Sequence, residues 1–543
     1  MKKFTLILAL LSNIICAIAQ TSGTTGSLTW NYDEESNVLS ISGKGEMPNY
    51  GTNTAPWEGF KEAIGKIVIG DGVTTIGSNA FTNCLAMTEV DIPEGVTTIG
   101  NNAFSYCLSV ESISIPASVK EINESAFESC GYLTKIYLSE GLESIGEFAF
   151  TDCYSLGELQ IPNTVTDIGR WAFSGCEALY EITIPGSVKS IGDNAFSSCY
   201  SLCSVQLEEG LENIEDAAFN GCEQLESILI PASVSYIGGG VFSDCKAITS
   251  IDVAEGNKDY VSVDGVLYSK NMDLLVQYPA GKSDESFDIP ESVLYIGDYA
   301  FGGNEHLTSV GIHDKVKEIG NYSFARCSGV ASFSIPAATV KIGDSPFHDC
   351  YSLTEINVDE NNPYYMAIDN VLYDKNLTIL IQYPEAKTSE TYVAPSTLNT
   401  LSDYAFFGNQ SLKSIDLPEG LTKIGDFAFG WAANLSTLTV RVDDPAKITL
   451  GVMPFFRGAN AVECTLRVPT GSKAKYASAN MWQDFAPNIE EFEATGIAQT
   501  TTDTNSVDVK KPVYDLSGTM MKGNINQQRR GLYIIGGKKV IKR

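Results

Sequence analysis

Apolar and polar positions along most of this chain repeat in a frame of 23 residues. The unit that starts at Leu133 shows it. Leu133, Ile136, Leu138, Leu142, Ile145, Ala149, Phe150 and Cys153 are its apolar positions, and mostly polar residues fill the gaps. The Phe recurs at Phe81, Phe104, Phe127, Phe150, Phe173, Phe196, Phe219 and Phe242, again at Phe301, Phe324 and Phe347, and again at Phe406 and Phe429, 23 apart within each run. A fixed period of this size predicts a solenoid of stacked coils, each burying its apolar side against its neighbours. In each coil, Leu133-x-x-Ile136-x-Leu138 ends in alternation, the pattern of a short strand. Neighbouring units close that strand with Pro, as in Ile115-Pro116 and Ile184-Pro185, because Pro has no N–H for the ladder. The Ile145-Gly146 step is expected to turn the chain through the positive φ that Gly tolerates. Ala149 is small enough for close backbone approach, and Phe150 fills the space between coils.

Alternation also assigns the faces. In Ile-x-Ile the outer residues point inward and the middle one outward. The outward residues are Asp91, Ser114, Tyr137, Gln160, Thr183, Gln206, Leu229 and Asp252, joined two positions earlier by Glu89, Ser112, Lys135, Glu158, Glu181, Ser204, Ser227 and Ser250. They are expected to form one long parallel-sheet surface. The candidate binding face is Glu89, Asp91, Lys135, Tyr137, Glu158, Gln160, Glu181, Thr183, Gln206 and Asp252. Inward positions are held alike by packing, whereas outward ones differ from coil to coil, as a recognition scaffold requires. A solvated face that serves only solubility reads the same way.

Breaks in the period give the organisation. Residues 1–19 form a basic start and a short apolar run ending in Ala17-Ile18-Ala19, the pattern of a secretory signal peptide; a lipid anchor at Cys16 is disfavoured by Ile15 before it. Residues 20–66 are an N-terminal cap, with a hairpin from Leu28–Tyr32 to Val38–Ser42 and Trp57 packed on the first coil. Residues 67–440 are repeats. Between Phe242 and Phe301, and between Phe347 and Phe406, the spacing is 59. Insertions near 255–285 and 360–390 are expected as hairpins turning at Lys270-Asn271 and Lys375-Asn376, either widening a coil or projecting toward a partner. A C-terminal cap at 441–492, a Thr/Asp/Ser-rich linker at 493–511 and a small β element at 512–543 complete the chain. No later run reaches the roughly 18 apolar residues of a spanning helix.

The chain carries 36 Lys+Arg against 67 Asp+Glu, which argues against a nucleic-acid partner. Residues 507–543 hold nine basic and two acidic side chains, so an acidic body ends in a basic tail. Of 13 Cys, ten (Cys84, Cys107, Cys130, Cys153, Cys176, Cys199, Cys222, Cys245, Cys327 and Cys350) sit three residues after the repeat Phe. Asn304 and Asn409 occupy that slot in two other coils. Cys and Asn sharing one slot predict a buried turn position whose side chain donates to a leftover carbonyl, Asn better than Cys. A ladder of buried thiols is expected, without metal, since no C-x-x-C pair or His partner accompanies it. The three His (His306, His313, His348) read as solvent-facing loop residues, and no H-E-x-x-H, G-x-S-x-G or phosphate-cradling glycine run is present. No catalysis and no cofactor are expected. Asp359-Glu360-Asn361-Asn362 could hold Ca²⁺ through oxygen ligands, or be a solvated loop.

The frame L-x-x-I-x-I-P-x-x-V-x-x-I-G-x-x-A-F-x-x-C resembles the leucine-rich repeats of BspA-like bacterial surface proteins, over about Ile67 to Phe485. The resemblance implies a right-handed leucine-rich-repeat solenoid of about fifteen coils, with a short parallel β-sheet on one face, turns and short helical segments on the other, and β-rich caps. It also implies a cell-surface or secreted, non-catalytic protein, a monomer, that adheres to a protein of the host matrix or cell surface. A glycan-binding or structural surface-layer role is the alternative, favoured by exposed aromatics, of which Tyr137 is the one on the strand face. The segments Val513-Tyr514-Asp515-Leu516-Ser517-Gly518 and Gly531-Leu532-Tyr533-Ile534-Ile535 resemble C-terminal sorting tails of the bacterial type IX secretion route.

Overall fold

The computed structural model describes residues 21–455, 463–493, 512–514, 520–523, 531–535 and 538–542. The expected signal peptide and nearly all of the linker lie outside the described residues. The chain divides into two compact units, Met1–Asp259 and Tyr260–Arg543.

The first unit begins with three antiparallel strands, Ser22–Thr25, Leu28–Asp33 and Val38–Gly43, with Trp30 opposite Ile41. The third pairs in parallel with Lys66–Ile69, which pairs with Glu89–Asp91, so the cap passes directly into the repeat ladder. Trp57 is buried, lies 5.6 Å from the ring of Phe81, and donates its indole N–H to the Ala80 carbonyl at 2.7 Å. Behind it the repeat Phe rings stack at 5.2–5.4 Å from Phe81 to Phe219, all buried. Each ring so removed from water contributes about 1.5–3 kcal/mol.

Two ladders flank this stack. The last two residues of the Val-x-x-Ile segments form a continuous nine-stranded parallel sheet of short strands, from Gly45–Glu46 through Ser144–Ile145 to Tyr236–Ile237. The Ile-x-Ile ladder, expected as one long sheet, is instead broken. Beyond Glu89–Asp91 it survives as three separate pairs: Ser112–Ile115 with Lys135–Leu138, Glu181–Ile184 with Ser204–Leu207, and Ser227–Ile230 with Ser250–Val253. At Glu158 only an isolated bridge to Lys135 remains. The side expected to carry short helical segments thus carries turns and a second ladder. Among the described residues, helices occur in the caps, as Glu58–Phe60, Pro445–Lys447, Lys473–Ser478 and Trp482–Asn488.

The Ile-Gly step is glycine for a different reason than positive φ. Gly146 lies outside the positive-φ set, but a Cβ there would sit 2.7 Å from the Asn123 carbonyl carbon and 2.9 Å from the Ile122 oxygen. The coils approach too closely for any side chain. The left-handed conformation is taken by its neighbours instead, among them Phe148 and Trp171, two residues before the repeat Phe.

In the second unit each insertion conceals a coil. Tyr260–Val263 and Val266–Ser269 form a hairpin around Asp264-Gly265, and Leu274–Gln277 folds back antiparallel on the latter. This last strand then pairs in parallel with Tyr295–Ile296 as an ordinary coil does. Its Tyr278 donates its N–H to Ala300 O at 2.7 Å and stacks 5.3 Å from Phe301, the contacts that Phe150 makes with the next coil. Tyr278 is therefore the repeat Phe of a coil that the Phe landmarks skip. The same holds for Tyr365–Ile368, Val371–Asp374 and Ile379–Gln382, with Tyr383 on Ala405 and Phe406. The expected turns at Lys270-Asn271 and Lys375-Asn376 are present, but each is the second of two. With Trp57, Phe455 and Trp482 at the ends of their stacks, thirteen Phe landmarks become eighteen ring positions, more than the fifteen coils expected. In the C-terminal element, Met520–Met521, Val513–Tyr514, Gly531–Ile535 and Lys538–Lys542 form an antiparallel sheet in that order.

The ladder thiols are buried and form no disulfide with one another. Nine donate S–H to the Phe carbonyl 26 residues earlier, as Cys153 does to Phe127 O at 3.3 Å and Cys327 to Phe301 O at 3.3 Å. Burial pushes the Cys84, Cys130 and Cys199 thiols up to about 12, so they remain protonated. Asn304 and Asn409 do more. Asn409 Nδ2 donates to the carbonyls of Pro384, Glu385 and Lys387, and its Oδ1 accepts from Ser411 and Leu412 N–H. Asn304 makes the equivalent set one module earlier.

Candidate recognition surface

The strand face of the first unit holds all ten candidate residues, in separate groups. Glu89 and Asp91 share one partner, Lys66 Nζ, at 2.6 and 2.9 Å. These two carboxylates raise the Lys66 ammonium above its ordinary range. Lys66 closes the cap segment 20–66, and the parallel pairing of Lys66–Ile69 with Glu89–Asp91 brings it to this face.

One strand pair further on, Lys135 forms an ion pair with Glu158 of the next coil and lies 4.9 Å from the centre of the Tyr137 ring. Tyr137 is half exposed. Glu158 and Gln160 belong to the interrupted stretch, where Glu158 makes one isolated bridge to Lys135 and no strand is completed. Glu181 and Thr183 project together from Glu181–Ile184 beside Ser204 and Gln206, and their alternating burial matches the inward/outward assignment. Asp252 accepts from Ser250 at 2.9 Å and pairs in register with Leu229, which is 56% exposed. The face is a row of small polar and acidic groups around one cation–π–carboxylate cluster at Lys135, Tyr137 and Glu158. Such exposed ion pairs add little stability, which leaves their charges available to a partner.

The remaining candidates resolve differently. His348 is largely buried among Tyr322, Tyr404 and Phe407, its ring 4.4 Å from that of Tyr404, and burial lowers its pKa. The expectation of a solvent-facing residue fails there because the second insertion's coils pack on that turn. His313 binds the Pro290 carbonyl at 2.9 Å, and His306 is exposed. In Asp359-Glu360-Asn361-Asn362, Asn362 is buried and donates to Pro336 and Thr339 carbonyls, while Asp359 caps Asn361 N–H. Two of the four possible ligand side chains are thus engaged in shaping the turn.

The sequence reading missed a set of exposed tyrosines outside the strand face. Tyr106, Tyr132, Tyr154 and Tyr200 lie in turns beside the ladder Cys and Tyr180 directly precedes Glu181–Ile184, one in each of five successive coils. The 23-residue alignment would have shown each of them within four residues of that Cys.

The stacked rings, the paired short-strand ladders and the turn-bound Cys or Asn define a leucine-rich-repeat solenoid. The family model described as the BspA type leucine rich repeat region, in six copies, matches residues 60–180, 144–262, 280–388 and 383–451. These spans cover more than half of the chain, and it belongs to that family. Among solved structures, the chain is similar to a leucine-rich cell-surface protein of Faecalibacterium prausnitzii, with 26% identity, a TM-score of 0.46, and coverage of 82% of this chain and 97% of that one. It is also similar to a leucine-rich-repeat protein of Bacteroides ovatus, with 24% identity, a TM-score of 0.40, and 87% and 100% coverage. The pneumococcal vaccine antigen PcpA is a third, at 19% identity and a TM-score of 0.41, covering 87% and 98%. No curated protein matches the chain significantly. No helix among the described residues is long and apolar enough to cross a membrane.

Proposed function

We propose that this protein is an exported recognition protein of the bacterial surface that captures a protein partner, on the host matrix or a host cell, through the strand face of its first unit. The observation that carries the reading is the contrast between the two sides of each strand. Inward residues are uniform and buried, whereas outward residues change from coil to coil on a backbone held by ladder hydrogen bonds. A rigid row of differing side chains loses little entropy on binding, which favours affinity. The Lys135–Tyr137–Glu158 cluster is its centre, since an aromatic ring beside paired charges is the composition of interface hot spots. Export by the N-terminal leader and sorting by the 512–543 element belong to the same proposal.

The test is capture of the full mature chain on immobilised matrix proteins, compared with the variant carrying Tyr137→Ala, Glu158→Ala and Glu181→Ala. At least a tenfold loss of capture is expected. Unchanged capture removes the strand face from the reading. Because the face is acidic, capture by a basic partner weakens as salt rises.

A further inference from the structure

Beside the buried rings of the second unit runs another column of side chains, at one fixed offset. It stands two residues before Phe301, Phe324, Phe406, Phe429 and Phe455, at Tyr299, Tyr322, Tyr404, Phe427 and Met453. Its rings touch one another. Tyr299 and Tyr322 stack at 5.0 Å, and Tyr404 and Phe427 at 5.5 Å. Across the concealed coil, where Ser345 holds the slot, Tyr322 meets Tyr404 edge-on at 6.2 Å. Met453 continues the column, because Phe427 donates its N–H to Val452 O at 3.0 Å in the register by which Tyr404 donates to Asp426 O at 2.8 Å. Unlike the repeat rings, all five column residues reach solvent; Met453 is 39% exposed and its neighbour Val452 58%. The turn does not demand this. In the first unit the same slot holds Asn79, Asn102, Ser125, Asn194 and Ala217, with Phe148 and Trp171 as exceptions. Apolar side chains kept together at a surface that small residues could cover mark an interaction site.

A row of carboxylates flanks the column. Asp298, Asp344, Asp403 and Asp426 each stand one residue before a column slot, and all four reach solvent. Bonds to the next coil fix three of them. Asp298 Oδ1 accepts from Asn321 N–H at 2.7 Å, Asp403 Oδ1 from Asp426 N–H at 2.8 Å, and Asp426 Oδ1 from Val452 N–H at 2.7 Å. Among the described residues, none of the four takes part in an ion pair. The strand face of the first unit differs in this respect, since Lys66 and Lys135 neutralise Glu89, Asp91 and Glu158 there.

We propose that this aromatic–carboxylate edge of the second unit docks a lysine- or arginine-rich segment of a partner protein. The cationic heads lie on the carboxylates and their methylene stems across the ring edges. Lysine and arginine are the side chains that combine an apolar stem with a charged head. Uncompensated negative charge repels nucleic acid and anionic lipid, whereas it attracts and orients a basic segment. A neutral partner would cover these carboxylates without pairing them, which costs desolvation. The edge shares no residue with the strand face, and the proposal does not rest on that reading.

The test uses the full mature chain and a fluorescent octapeptide in which lysine alternates with leucine and serine, with its glutamate counterpart as comparator. Anisotropy is expected to show submillimolar binding of the lysine peptide and none of the glutamate peptide. Asp344→Asn, Asp403→Asn and Asp426→Asn together keep every acceptor oxygen, and Asn321 already occupies this row, accepting from Asp344 N–H at 2.9 Å. That variant should bind at least tenfold more weakly with an unchanged melting curve. Glu121→Gln, Glu143→Gln and Glu212→Gln remove the same charge from exposed positions of the first unit and should cost no more than twofold. Phe427→Asn with Met453→Asn, which imports the residue of the first unit, should cost at least threefold. Failure of the lysine peptide to bind overturns the proposal, as does an unaltered affinity in either column variant. An equal loss in the first-unit variant reduces the effect to diffuse attraction by an acidic body and equally overturns it. The strand-face variant of the preceding test should bind the peptide normally, so the two readings fail independently.

Discussion

The regular coils of the first unit and the interrupted coils of the second solve one problem in two ways. In both, the residue three after the repeat ring must satisfy carbonyls left over by the preceding turn. Where the preceding coil ends in Phe, one carbonyl needs a donor, and a thiol suffices. Where it ends in Tyr278-Pro279 or Tyr383-Pro384, three carbonyls converge, and Asn replaces Cys. The slot is thus set by its hydrogen-bond demand, not by a requirement for sulfur. The two modules of the second unit share that Asn but differ at a neighbouring position. Ala280 is followed 105 residues later by Glu385, which is 5% exposed. Its carboxylate faces the backbone N–H groups of Asp349 and Cys350 without completing a well-formed hydrogen bond.

Four substitutions test how far that contrast goes. The largest effect is expected for Asn409→Cys, which imports the regular solution into an interrupted coil. It leaves two of three buried carbonyls without donors and two N–H groups without an acceptor, a loss of about 4 kcal/mol. Amide hydrogen exchange across Glu385–Leu412 would report it. Next is Glu385→Ala, which gives the second module the residue of the first. Burial first, and then Asp349, pushes the Glu385 carboxyl up to about 8. A raised carboxyl binds a proton in the folded state that the unfolded state has released. Its stability contribution is therefore complete below the ordinary carboxylate range and is lost as pH rises toward 8. The variant should be more stable than the parent by roughly 3 kcal/mol at pH 7, and its urea midpoint should no longer fall between pH 5 and 8. A parent with a flat profile would show that the carboxylate finds a partner. Cys153→Ala should cost about 1–2 kcal/mol, from lost packing and one weak bond. Tyr278→Phe keeps the stacked ring and loses the 2.8 Å bond to Asp284, about 1 kcal/mol. Both are read from thermal melts.

The period made the coils legible because Phe, Ala and the Ile of each turn are buried for one reason, repeated. The shared Cys/Asn slot was legible as well, since hydrogen-bonding capacity is a property of the residue type. The concealed coils were not, because a search for Phe passes over Tyr278 and Tyr383, whose hydroxyls point to Asp284 in one case and into the packing around Tyr392 in the other. The reason for Gly146 was misread because φ and close approach leave the same letter in the sequence. The break in the strand ladder at Glu158 has no local signal, as Leu159-Gln160-Ile161 alternates like its neighbours. Of the candidate surface, the strand-face residues followed from alternation. The exposed tyrosines near the ladder Cys did not, because they sit at different offsets from it and their exposure has no counterpart in the repeat pattern.

The hydrogen bonds between adjacent regular coils span a constant sequence distance, such as 23 residues from Thr97 Oγ1 to Thr74 O and 26 from Cys153 to Phe127. Loop closure therefore costs the same at every regular step, however long the array becomes. Such a chain can grow by templated addition, each finished coil offering the next a complete edge. Removing one whole period, for instance residues 142–164, leaves every later partner at its usual separation. For this molecule, length is an adjustable quantity, and natural variation in coil number should be tolerated far better than a shift of register by one or two residues.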